Sequence, residues 1–226
     1  MAITKRIICL ANSRKLQGRC IAGRGIVAGT LQAWIRPVSD RPHEEVSEYE
    51  RQYEDGSDPI VLDIMDIPLI EARPKGYQQE NWLLDPDKYW IRVGRFSWAD
   101  LEQLADQSGT LWLNGYHTYN GQNDVIPLDK AATVTSSLKL IRVDTIQLNV
   151  FKPGEAFGNP KRRVQARFRF AGHEYSLWVT DPIIEREYLA RVNGNYSLSE
   201  RYLTISLGES FNDKCYKLVA AVIQQG

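Results

Sequence analysis

The sequence predicts a mainly β protein with minor α content, and three features predict it. Short runs rich in Ile, Val, Leu and Trp recur along the chain, each bounded by Gly, Pro or Asp. Only two stretches carry clear helix signals. A polar, turn-rich segment at 115–136, GYHTYNGQNDVIPLDKAATVTS, interrupts these runs and divides an amino-terminal β domain at 1–134 from a carboxy-terminal domain at 135–226. With 226 residues, 43% hydrophobic and 25% charged, the chain can bury a real core.

In the amino-terminal half, strands are expected at 5–11, 19–28, 31–38 and 59–71. Between the last two lies a polar, acidic loop or weak helix at 40–58. Ser97-Trp98-Ala99-Asp100 resembles a capping box, and Leu101, Leu104 and Ala105 follow at helical spacing, so a helix is expected over 98–107. That helix would follow the fourth strand, so a first barrel would have to be elaborated or permuted.

The second half is more regular. A long strand is expected at 137–150, then two at 163–170 and 173–180 joined by Ala171-Gly172, a two-residue hairpin connection. Asp181 is a plausible N-cap and Pro182 suits the first helical position, which predicts a helix through IIEREYLARV towards Gly194. Strands at 201–207 and 215–223 close the chain. Three strands, a helix and two strands is the order of an OB-fold, the five-stranded barrel with a helix between its third and fourth strands.

If Ala171-Gly172 is the loop, Phe170 faces His173, and the pairs continue to Gln165 with Trp178. Period two then points Val164, Ala166, Phe168, Phe170, Tyr175, Leu177 and Val179 inward. Arg163, Gln165, Arg167, Arg169, Ser176, Trp178 and Thr180 point outward. In OB-folds this face receives oligonucleotides, with arginines on phosphates and aromatic rings on bases. Arg163, Arg167, Arg169 and Trp178 are therefore the leading candidates for binding single-stranded DNA or RNA. The alternative is that Trp178 packs beneath the first domain and the arginines pair with Glu174 or the acidic loop.

The formal net charge of zero conceals blocks. Residues 1–36 carry seven basic side chains and no acidic one, while 40–66 carry ten acidic residues against Arg41 and Arg51. A basic block returns at 152–169. Such blocks steer polyanions despite a neutral total. The glycine-punctuated stretch ICLANSRKLQGRCIAGRG has no Lys-Ser or Lys-Thr for a P-loop, and Gly23, Gly25 and Gly29 miss the dinucleotide spacing by one residue. No helix follows to receive a phosphate, so no nucleotide cofactor is expected and the stretch reads as two strands about a basic turn. Arg14, Lys15, Arg19 and Arg24 then join the candidate phosphate contacts, with plain solvated charge as the competing reading.

Catalytic constellations are lacking. His43, His117 and His173 are scattered, Asp63 and Asp66 would face opposite sides of a strand, and no GxSxG occurs. A metal-dependent nuclease would need an acid pair and a nearby lysine, but Glu71 and Lys75 have the wrong spacing. A non-catalytic protein without metal or cofactor is expected. Cys9, Cys20 and Cys215 form no CxxC pair, so neither disulfides nor zinc are expected. With no run of about 18 apolar residues and no signal-peptide pattern, the expected setting is cytoplasmic, away from membranes.

As a set, the blocks IICLANSRK, GRCIAG, WIRPVS, VLDIMDIPL, YQQENWLL, YSLWVTDPIIE and ISLGESF with KCYKLVAAVI resemble the bacterial dual OB-containing domain family over nearly the whole chain. The resemblance implies two OB-like barrels in tandem, a nucleic-acid-binding role and an association with bacterial conflict or antiviral systems. It transfers no catalytic motif. Two readings of function follow: a nucleic-acid-binding module, or a scaffold subunit for a partner nuclease or helicase that supplies the chemistry.

Overall fold

The computed structural model describes residues 3–106 and 109–225. These form two compact units, one from the chain up to Leu104 with Thr135–Ser137, the other from Ala105–Val134 with Leu138–Gln225.

The first unit contains β1 (Ile3–Lys15), β2 (Gly18–Val27), β3 (Thr30–Val38), α1 (Glu48–Arg51), β4 (Asp63–Ala72), β5 (Asn81–Leu84) and β6 (Ile91–Arg95). The strands run in the order β1-β2-β3-β5-β4, and β4 pairs back onto β1 to close the barrel. β3 and β5 are parallel, as the third and fifth strands of an OB-fold are. The connectivity is thus unpermuted. Its elaborations are β6, which extends the sheet beyond β4, and a 3-10 helix at Trp98–Leu104. The expected α-helix over 98–107 is corrected accordingly: Ser97 Oγ accepts from the Ala99 N–H at 3.2 Å, and Leu101 and Leu104 are buried by a tighter winding. Residue 107 lies outside the described residues.

Between β3 and β4, where an OB-fold usually carries its helix, runs the acidic segment. Its only helical turn is α1, started by a capping box in which Ser47 and Glu50 bond reciprocally. Val46 and Tyr53, on either side of α1, reach the core beside Ile7, Cys9, Met65 and Trp90. Several acids are balanced by nearby cations: Asp40 with Arg73, Glu44 with Lys75, Glu50 with Arg41 and Asp58 with Arg51.

The second unit adds β7 (Val125–Pro127), α2 (Leu128–Ala131), β8 (Leu138–Val143), β9 (Ile146–Phe151), β10 (Arg163–Phe170), β11 (His173–Val179), α3 (Pro182–Leu189), β12 (Gly194–Leu198), β13 (Arg201–Phe211) and β14 (Lys214–Ile223). Its order is β12-β9-β10-β11-β14-β13-β8, with β7 on β14. The single strand expected at 137–150 is broken at Asp144-Thr145, so β8 pairs with β13 while β9 pairs with β10. Together the two halves do the work of the long first strand of an OB barrel. Leu148, Val164, Phe168, Tyr175, Leu177 and Val219 fill its interior.

Asp181 caps α3 as the sequence predicts. Its Oδ1 accepts from the Ile183 and Ile184 N–H groups, and its Oδ2 accepts from the Val222 N–H at 3.1 Å, which ties the helix start to β14. The helix ends at Leu189, short of the expected reach towards Gly194, because the Arg162 guanidinium takes the carbonyls of Leu189 and Arg191 and the chain then leaves as β12. Asp181→Ala is expected to destabilise the second unit by about 2 kcal/mol, since it removes a cap and strands a buried Val222 N–H. A urea midpoint unchanged from wild type would refute this role.

Candidate nucleic-acid interface

The β10–β11 hairpin has the register that alternation predicts, from Phe170 opposite His173 to Gln165 opposite Trp178. Ala171 (φ 48°) and Gly172 (φ 81°) both take the left-handed conformation that a tight two-residue hairpin turn requires. Val164, Ala166, Phe168, Tyr175, Leu177 and Val179 are buried in the barrel core, with Phe170 packed against it.

Three strands build the outer face. Arg163 lies between Phe151 of β9 and the end of β11; Gln165 lies between Asn149 and Trp178; Arg167 lies between Gln147 and Ser176; Arg169 lies opposite Glu174. Arg167 and Arg169 are exposed. The Arg167 Nε donates to Gln165 Oε1 at 3.2 Å, and Arg169 approaches Glu174 at 3.9 Å with both side chains largely in solvent. Such an exposed pair contributes little and exchanges readily for another anion.

Trp178 is differently placed. It is only 8% exposed, the Arg163 guanidinium lies 3.9 Å from its ring centre, and Phe151 stacks on it at 5.9 Å. Gln165 is fully buried beneath this surface, donating to the Asn120 carbonyl.

The cover comes from the segment before β7. Gln122 exchanges backbone hydrogen bonds with Ser176 (3.0 and 3.3 Å), and the Asp124 carbonyl accepts from Lys217 N–H, so the chain wedges between β11 and β14. The Asp124 carboxylate accepts from the Thr118 N–H, and Asn123 Oδ1 from the Gly115 N–H, which closes the loop upon itself. Underneath, Lys217 points into the barrel. Its Nζ donates to Leu113 O at 2.6 Å and Asn114 Oδ1 at 3.2 Å, and the Tyr175 hydroxyl joins the same network through Asn114 and the Leu111 N–H.

The amino-terminal cations belong to the first unit. Arg14 is exposed and lies opposite Arg19 across the β1–β2 hairpin, with Lys15 opposite Gly18. Arg19 is half-buried, its backbone paired with Val46, and burial first, then the Arg51 charge, lower its pKa. Arg24 is further along β2, its guanidinium 5.7 Å from the Trp34 ring centre. Trp34 also walls a cleft of about 670 Å³ that Lys5 and Trp82 line. The site candidates thus form two separate groups, Arg163/Arg167/Arg169/Trp178 on one barrel and Arg14/Lys15/Arg19/Arg24 on the other.

Asp63 and Asp66 face opposite sides, as the strand period dictates. Asp63 is buried, accepting from Tyr53 Oη at 2.9 Å, whereas Asp66 receives Arg6 in a two-point contact at 2.7 and 2.8 Å. Among the described residues no group of three or more His, Cys, Asp or Glu is arranged to hold a metal ion.

Compared with known protein families, residues 5–222 match the dual OB-containing domain. The chain belongs to the dual OB-containing domain family. No curated protein matches the sequence. In this dual OB protein each unit carries the 1-2-3-5-4 strand order closed on the first strand, and in both the hairpin of strands two and three turns on Ala-Gly, at Ala28-Gly29 and Ala171-Gly172. No helix among the described residues is long and apolar enough to cross a membrane.

The dual OB architecture also brings forward two residues that sequence reasoning missed. Tyr119, in the covering loop, and Phe157, between β9 and β10, are 86% and 76% exposed and meet edge to face with ring centres 6.1 Å apart. Neither lies on a periodic run, so alternation carries no signal for them.

Proposed function

We propose that this dual OB protein is a non-catalytic module that binds single-stranded nucleic acid across the outer face of β9, β10 and β11. The observation that carries the reading is the row Arg163, Arg167, Arg169, at outward positions of one strand, flanked by the amides of Gln147 and Asn149. Arg167 and Arg169 are the phosphate contacts. Arg163 is held over the Trp178 ring, 3.9 Å from its centre, and so keeps its positive charge in the same row. Arg14, Lys15, Arg19 and Arg24 are proposed as phosphate contacts of the first barrel, taken by itself.

The test is fluorescence anisotropy with a labelled single strand across a salt series. Arg167→Glu/Arg169→Glu is expected to weaken binding and to flatten the slope of log K against log salt by about 0.7 for each lost contact. Equal affinity and slope for variant and wild type would sink the assignment. A second reading, a protein-interaction subunit for a partner nuclease or helicase, is favoured by β6, an edge strand with Ile91 and Val93 in solvent. Co-purification of one protein, lost in Ile91→Lys/Val93→Lys, would favour it. The association with bacterial conflict or antiviral systems rests on the family resemblance alone, and free cysteines, with Cys9 and Cys215 buried, suit a cytoplasmic setting.

A further inference from the structure

We infer that Tyr119 and Phe157 form a stacking platform for unpaired nucleobases, which makes the second barrel selective for single strands over duplexes. The inference rests on the nucleic-acid reading above and deepens it.

The two rings come from separate loops that are fastened together beside the arginine row. Asn120, next to Tyr119, receives the Gln165 side chain at its carbonyl and reaches with its Nδ2 towards Pro153 O at 3.5 Å. Gln165 lies between Arg163 and Arg167 on β10 and accepts from Arg167. Tyr119 is thereby moored to the strand that carries the cations. On the other side, the loop bearing Phe157 is closed by a bridge between Gly154 and Asn159, with Lys152 and Glu155 paired at 2.8 Å.

Tyr119 and Phe157 stand largely in solvent, while the outward Trp178 is covered by Arg163 and Phe151. Bases stack on rings that solvent reaches, and Tyr119 and Phe157 are two such rings. A strand whose phosphates follow Arg167 and Arg169 can turn its bases onto these rings. A duplex keeps its base faces stacked internally and gains only the phosphate contacts. The occupant is therefore an unpaired base, selected by the neighbouring positive charge over an apolar peptide.

The experiment compares a fluorescein-labelled oligo(dT) strand, an abasic strand of equal length and charge, and a duplex. Wild type is expected to bind oligo(dT) at least about tenfold more tightly than the abasic strand. Tyr119→Ala/Phe157→Ala should bring oligo(dT) affinity down towards that of the abasic strand with the salt slope unchanged, and Tyr119→Phe should retain it. If the double alanine variant binds oligo(dT) as wild type does, or weakens oligo(dT) and abasic strands equally, the platform is refuted while nucleic-acid binding stands. If wild type binds none of the probes at low salt, both readings fall together.

Discussion

Replacing Glu80 by Ala is expected to destabilise the first unit by about 3–5 kcal/mol, because it leaves a guanidinium buried without its counter-ion. Arg36 Nη2 lies 3.1 Å from Glu80 Oε1, and both side chains are 4% exposed. The same nitrogen donates to Ser137 Oγ at 2.8 Å, and Nη1 reaches Asn81 Oδ1 at 3.4 Å. These neutral acceptors cannot replace a carboxylate in a site that excludes water. The double change Arg36→Met/Glu80→Met should recover most of the loss, since apolar side chains of similar length remove both charges together. Urea unfolding of wild type and both variants checks this. A Glu80→Ala midpoint no lower than that of Glu200→Ala, which removes the exposed partner of Arg142, would show that the buried pair contributes no more than a surface one.

The second large effect concerns pH. Lys217 is buried, and burial pulls its pKa from 10.5 down to about 7, against a smaller upward pull from Asp124. From about pH 7 upward the unfolded chain keeps a proton on this lysine that the folded barrel has released. Stability therefore rises with pH, by about 1–2 kcal/mol between pH 7 and about pH 8.5. At higher pH, Cys9 and Tyr53 work in the opposite direction. Burial raises both above their ordinary values of 9.0 and 10.0, so they lose protons first in the unfolded chain and stability falls. Lys217→Met should abolish the rise between pH 7 and about 8.5 and leave the later fall intact. Identical pH profiles of the thermal midpoint for wild type and variant would show that Lys217 titrates normally.

The parts of this fold that were legible in the sequence are those fixed by local chemistry. The β10–β11 register follows from one turn and one period, and α3 follows from Asp181 and Pro182. What escaped depended on distant contacts. β5 has only four residues and carries a buried Asn81, so it lacks the look of a strand, and every residue of β6 is exposed. The break at Asp144-Thr145 arises because one strand must serve two neighbours, β13 and β10.

The same division runs through the candidate site. Period two places Arg163 and Trp178 on the outer face, but the loop that covers Gln165 comes from residues more than forty positions earlier, through Asn120. Lys217 is the opposite case. It alternates with Cys215 and Val219, both buried, so the pattern already places a lysine inside the barrel.

Each barrel is sealed by one short parallel pairing, Arg36–Val38 against Asn81–Leu83 in the first and Trp178–Val179 against Leu218–Val219 in the second. Hairpins such as β10–β11 close locally within about 1–10 μs, whereas each parallel seam joins segments about 40 residues apart and must wait for the intervening chain to be ordered. During synthesis the second barrel stays open along β11 until β14 has been made. For that interval Trp178 and Val179 present an unpaired strand edge, which exposes a ribosome-bound or truncated chain to mispairing and aggregation there.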